Sequence, residues 1–246
     1  MKPLPLPLPE PEPDTNANKS DRARRRILLG LLASGLSLPA VLRQALAQQG
    51  QSNMQGLQRV QGDVRVNGVA AKTGTAVRPG DTVSAARGAL AMFVVGQDAF
   101  LLRENSRVEL AGKELFVNVL RLASGRLMGV FGKSGQGNDR RIVTAAATIG
   151  IRGTGGYLEA EAGRTYFCLC YGSAEIASAD GAARDAYSTR HHDSPRYIYG
   201  DGRKNAIVPT GVSNHTDDEL ILLESLVGRR PPQSVLDGPM MSNPYR

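Results

Sequence analysis

All five cysteines and histidines of this 246-residue chain lie within a single stretch of 48 positions: Cys168, Cys170, His191, His192 and His215. Thiolates and imidazoles are the ligands of zinc, and thiolates also suit copper(I), so two sulfurs and two ring nitrogens could close a tetrahedral site. The C-x-C and His-His spacings are not those of a zinc finger, so this reading rests on clustering. "RTYFCLCYG" reads as a strand. Alternation sets Phe167, Leu169 and Tyr171 on one face and Tyr166, Cys168 and Cys170 on the other. Residues two apart on a strand have Cα atoms about 6.5–7 Å apart, so a direct Cys168–Cys170 bridge needs a kink or bulge. Three outcomes stay open: a zinc or copper ion shared by both cysteines, His215 and one of His191 or His192; a strained disulfide; or two buried thiols with surface histidines. No thiol-protease signature or helix N-terminus surrounds the cysteines, and no Gly-x-Ser-x-Gly or His-Glu-x-x-His motif occurs. The chain is therefore expected to be no enzyme; the alternatives are a metal-binding or redox-responsive role for the Cys/His group, and, behind these, a thiolate at Cys168 or Cys170 with His191 or His192 as its base.

A second stretch invites a different chemistry. "TIGIRGTGGY", residues 148–157, packs glycines, an arginine and a threonine behind an apolar run. Its glycines fit neither a Walker loop nor a dinucleotide fingerprint, and no lysine follows, so no nucleotide is expected there. The alternative is a strand–turn–strand element in which Gly153, Gly155 and Gly156 reverse the chain and Arg152 and Thr154 brace the turn. Asp81, after Pro79-Gly80, and Asn105-Ser106 read as similar turn staples.

The elements that would carry these residues are short strands. From residue 56 to residue 176 apolar runs alternate with Gly, Asn and Asp breaks at about the 8–12-residue spacing of all-β folds. Asn67-Gly68 marks a type I′ hairpin. "GDVRVNG", "VRPGDTVSA", "LLRENSRVEL", "LRLASGRL" and "VTAAATIGIRGTGGYLEA" follow one another in an order that resembles the FecR domain family, over roughly residues 57–178. The resemblance implies a β-sandwich or solenoid-like domain of short strands that binds or senses in the cell envelope, with another envelope protein as partner. Iron-signalling members of that family also carry a sigma-factor-binding cytoplasmic segment, a membrane helix and a C-terminal domain that meets an outer-membrane transporter. Nothing globular precedes the leader here, so a direct anti-sigma role is not expected.

Beyond residue 178 lies a polar extension, 179–246. Thr216 with Glu219 makes a capping box, and Leu220, Leu223, Leu226 and Val227 make one apolar stripe, which predicts a helix over about 217–228. Ahead of the β domain, residues 1–47 read as a proline-rich leader with a basic, then apolar, then small-residue signal; 48–56 form a linker. Arg24-Arg25-Arg26 resembles a twin-arginine signal, which exports folded proteins to the periplasm. Membrane contact is expected only through an uncleaved leader. The formal charge is +7, of which residues 1–47 supply +3 from seven basic and four acidic side chains. The remaining +4, with no basic patch interleaved with aromatics, makes nucleic acid an unsuitable partner.

Overall fold

The computed structural model describes residues 54–133 and 140–237. The leader readings, including the signal and its arginines, lie outside the described residues. The chain first forms β1 (Gly56–Gln61), β2 (Val64–Val66), β3 (Val69–Ala70), β4 (Thr82–Ala85), β5 (Leu90–Val95), β6 (Asp98–Leu102) and β7 (Ser106–Lys113). Then come β8 (Phe116–Val130), β9 (Arg140–Val143), β10 (Ala147–Glu161), β11 (Arg164–Ser178), β12 (Arg184–Thr189), β13 (Arg196–Tyr199) and β14 (Ile207–Pro209). Two helices follow, α1 (Asp217–Leu226) and α2 (Gln233–Asp237). The fold is all-β with a C-terminal helix.

The strands join in one hydrogen-bonded sheet, with β10 and β11 as its long central pair. Asn67 and Gly68 both take positive φ between β2 and β3, as a type I′ hairpin demands. Asp81 is a turn staple: its carboxylate accepts from the Arg78 N–H at 2.7 Å and from the Asn67 amide at 2.7 Å. The polar extension adds three strands that the sequence did not announce. Strands β12 and β13 pair with different halves of β11, and β14 pairs with β13.

Both faces of the central strands are buried, which explains continuous apolar runs such as "LAMFVV" in β5. Phe93, Phe100, Leu127, Leu158, Phe167 and Leu169 belong to the larger apolar cluster. Their alternates Met92, Leu101, Met128, Tyr157, Tyr166 and Cys168 belong to a smaller one, capped by Leu220, Leu223 and Leu226 of α1. That second cluster is where α1 docks.

The glycine-rich stretch corrects the expected turn. Residues 148–157 run inside β10 with no reversal. Two β-bulges interrupt its ladder with β11: Gly153 and Thr154 together oppose the single Gly172, and Cys170 is extra on the other strand. Gly153 alone of the three glycines takes positive φ, at 56°. Gly155 is needed for space, because a Cβ there would sit 2.6 Å from the Tyr171 ring and 2.8 Å from Leu220. Nor do Arg152 and Thr154 brace a turn. Arg152 is exposed and pairs with exposed Glu175 at 3.5 Å, a contact of little energetic weight. Thr154 is buried, and its backbone carbonyl accepts from Phe131 N–H. The bulge also overturns the simple alternation: Tyr171 lies with the cysteines in the smaller cluster, not with Phe167 and Leu169.

Candidate metal centre

Three pieces of chain deliver the chemical groups to one point under α1. Strand β11 supplies Cys168 and Cys170, both fully buried and both free thiols. The segment between β12 and β13 supplies His192. Its N–H donates to the Cys170 carbonyl at 3.0 Å, and it sits in the left-handed region at φ 51°. That conformation is uncommon for a residue with a side chain, and a local staple holds it. Asp193 accepts from the Thr189 hydroxyl at 2.7 Å and from the Arg190 N–H at 3.0 Å. The segment before α1 supplies His215. Tyr166 anchors that segment, its hydroxyl accepting from the Ser213 N–H at 3.1 Å. Asn214 donates to Glu159 at 2.8 Å, and the His215 ring stacks on Tyr157 with centroids 4.5 Å apart.

The ligand atoms of Cys168, Cys170, His192 and His215 all lie within 4.8 Å of one another. His192 Nδ1 is 3.3 Å from Cys168 Sγ and 3.1 Å from His215 Nε2. A tetrahedral zinc ion with ordinary bond lengths has ligand–ligand edges of about 3.3–3.8 Å. The shortest spacings of the cluster are thus within a few tenths of an ångström of that frame.

Hydrogen bonding decides which ring nitrogens are available. His215 Nδ1 faces the Ser213 carbonyl at 2.6 Å and must donate its proton there, which leaves the Nε2 lone pair facing the cysteines. His192 Nε2 faces the Asp217 carboxylate at 2.9 Å, which leaves the Nδ1 lone pair facing the same point. A carboxylate or carbonyl behind each imidazole is the usual support of a metal-ligating histidine. With no metal between them, two lone pairs 3.1 Å apart would repel, and a shared proton relieves this. Burial works against charge on His192, but hydrogen bonds to Asp217 and Cys168 outweigh it and push its pKa up to about 9. Burial likewise raises Cys168, yet hydrogen bonds from Cys170, His192 and His215 hold it well below the ordinary thiol value. Cys170 is pushed well above that value by burial and by the neighbouring Cys168.

His191 stands one layer out. Its Nε2 lies 3.0 Å from Asp217 Oδ2, so Asp217 receives both adjacent histidines. Of the two candidates for the fourth position, the geometry therefore selects His192. Asp217 was visible in the sequence only as a first-turn acid of the helix, and no spacing rule marks it as the support of a ring 25 residues away.

Cys168, His192 and Asp217 in line also resemble a nucleophile, base and orienting acid. Cys168 is 0% exposed and His192 4%, however, so no substrate carbonyl could reach the sulfur. A closed set of four ligands suits a structural metal site, which keeps no open position.

No protein-family model matches the sequence, and no curated protein matches it. Among solved structures, two crystal structures of a "putative anti-sigma factor" from Parabacteroides distasonis ATCC 8503, at 1.65 and 2.50 Å resolution, are similar to this chain. Each shares 10% identity at a TM-score of 0.43, over 53% of this chain and 59% of the other. This chain thus spans about three fifths of the length of the protein it matches.

Proposed function

We propose that this chain is an exported, non-enzymatic FecR-like module of the cell envelope, in which one transition-metal ion fastens the C-terminal segment to the sheet. The carrying observation is the convergence of Cys168, Cys170, His192 and His215, with the outward nitrogen of each ring facing a carboxylate or carbonyl. Zinc fits first: two thiolates offset its charge, two imidazoles complete a tetrahedron, and the two shortest spacings lie close to the edges of its coordination tetrahedron. Copper(I) would use the same sulfurs. Periplasmic location, the signal leader and a partner in the envelope are supported by the leader pattern and by the order of FecR-like motifs in the sequence.

The ion's work is mechanical. It ties β11 to a residue 24 positions on and then to another 23 positions further. By analogy with a disulfide, closing a loop of that size removes chain entropy equivalent to about 3 kcal/mol. Metal analysis of the purified chain, with a free-thiol count and cobalt(II) substitution, tests the proposal. One equivalent of metal and a thiolate-to-cobalt absorption band are expected; no metal and two freely alkylated thiols would refute it.

A further inference from the structure

The inner donors are sealed from water. Both cysteines are fully buried, and His192 and His215 expose only 4% and 1% of their surface. Strand β11 is covered on one edge by β10 and on the other by β13 and β12. Tyr157 lies against His215, and Leu220 of α1 belongs to the same buried cluster. An ion bound for the sulfurs would be received first by a neighbouring donor that still meets solvent. His191 is that neighbour: its side chain keeps 14% exposure while its Nε2 reaches Asp217.

His191, His192 and Asp217 form a second set of donors whose ligand atoms again lie within 4.8 Å of one another. The two sets share His192. Its Nδ1 faces Cys168 and His215, and its Nε2 faces Asp217. Two imidazoles and a carboxylate are a recognised face for divalent transition ions, with positions left for water. Lacking thiolates, such a set holds a soft or borderline ion less tightly than the inner four.

We infer that His191, Asp217 and His192 are an outer, transient site through which a divalent transition ion is loaded into, and withdrawn from, the Cys168–Cys170–His192–His215 centre. This rests on the metal reading above. The step is ligand exchange with no change of oxidation state. The ion displaces the His192 Nε2 proton while it is outside. It then forms its sulfur bonds as the Cys170 proton departs to water, and the remaining His192 proton passes from Nδ1 to Nε2 as the ion takes Nδ1. A site on the path but absent from the end state changes rates and leaves the equilibrium alone.

Cobalt(II) is the probe, because its thiolate absorption reports the inner centre only. His191→Gln keeps an N–H donor for Asp217 but removes the imidazole lone pair, and His191→Glu restores a metal ligand that adds no thiolate absorption. His191→Gln is expected to reach the wild-type absorption and affinity, with cobalt uptake and extraction by a chelator both slowed at least tenfold. His191→Glu should exchange near the wild-type rate. In the unaltered chain, uptake should level off with cobalt concentration as the outer set saturates, a measurement that does not depend on any variant folding. Wild-type exchange rates in His191→Gln, or uptake that stays proportional to cobalt throughout, would overturn the loading route alone. Loss of the end-point absorption in His191→Gln would overturn it too, by making His191 an inner ligand. A wild-type chain that takes up neither cobalt nor zinc overturns the metal reading and this inference together.

Discussion

The Asp217 carboxylate lies 2.9 Å from His192 Nε2, on the far side of the ring from Cys168 Sγ, which is 3.3 Å from Nδ1. The acid therefore fixes the tautomer that turns a lone pair toward the sulfur. Replacing Asp217 by Asn leaves the shape nearly intact but removes the negative charge behind the ring. Metal affinity is expected to fall by about 10–100-fold while one equivalent still binds at saturation. Competition against a chromophoric chelator measures it, and unchanged affinity would show that Asp217 serves only the helix.

Acid should weaken binding steeply. In the metal-free centre near neutral pH the protons to be displaced sit on His192, whose pKa is pushed up to about 9, and on Cys170, which burial and Cys168 push well above the ordinary thiol value. Cys168 is held well below the ordinary thiol value by its hydrogen bonds from Cys170, His192 and His215, so it gives up its proton more readily than Cys170. Binding thus expels at least the His192 and Cys170 protons, so the apparent association constant should rise by about 100-fold or more per pH unit up to about pH 8. Above about pH 9, where His192 has lost its proton unaided, the dependence should ease to about tenfold. Titration calorimetry in buffers of different ionisation enthalpy counts the protons directly, and a count of zero would contradict the assignment.

Changing both Cys168 and Cys170 to Ser removes the soft ligands while keeping side-chain size close. Stoichiometric metal should vanish and the melting temperature should fall, by more in metal-loaded than in chelator-treated protein. Equal losses under the two conditions would mean that the thiols matter for packing alone.

A fourth expectation concerns the seat of the helix. Gly155→Ala places a methyl against Tyr171 and Leu220, and relieving the overlap should cost about 1–3 kcal/mol. Tyr171 donates its hydroxyl to the buried Glu224, which also receives Arg229 at 2.7 Å. The same methyl should therefore loosen the far end of α1. Denaturant unfolding measures the cost, and faster hydrogen exchange at Leu223 and Leu226 locates it.

Much of this architecture is legible in the residues. The Asn67-Gly68 hairpin follows from two residues that tolerate positive φ. Helix α1 begins where Thr216 and Glu219 cap it, with Thr216 accepting from the Glu219 N–H at 3.4 Å and Glu219 from the Thr216 N–H at 3.1 Å. Strands β12 to β14 escaped because they are short, half-exposed additions whose alternation of polar residues is weaker than the turn signals around them. The glycines of β10 were misread for a sharper reason. A glycine signals either a reversal or a close approach of another group, and only the position of Tyr171 and Leu220 tells which applies at Gly155. The convergence of Cys168, Cys170, His192 and His215 could be suspected from clustering, but which histidine faces the sulfurs depends on a hydrogen bond from His192 N–H to Cys170.

The two bulges in the β10–β11 ladder behave like a pair of opposite dislocations in a crystal row. Partners keep one register from Ala147↔Ser178 to Arg152↔Ser173, slip at Gly155↔Tyr171, and recover it from Gly156↔Leu169 to the end. Between the two defects each strand changes which of its residues face which cluster: Ile149 and Ile151 share the larger one with Leu158, and Ile176 shares it with Leu169. A one-residue deletion in either strand would leave an uncancelled slip, turning half of the molecule's longest ladder inside out. Removing one residue from each, at Gly153 and Cys170, would heal the row. It would also erase a sulfur and the slipped position of Tyr171, so the flaw that looks expendable in the lattice is what brings the cysteine thiols and the helix to the same side of the sheet.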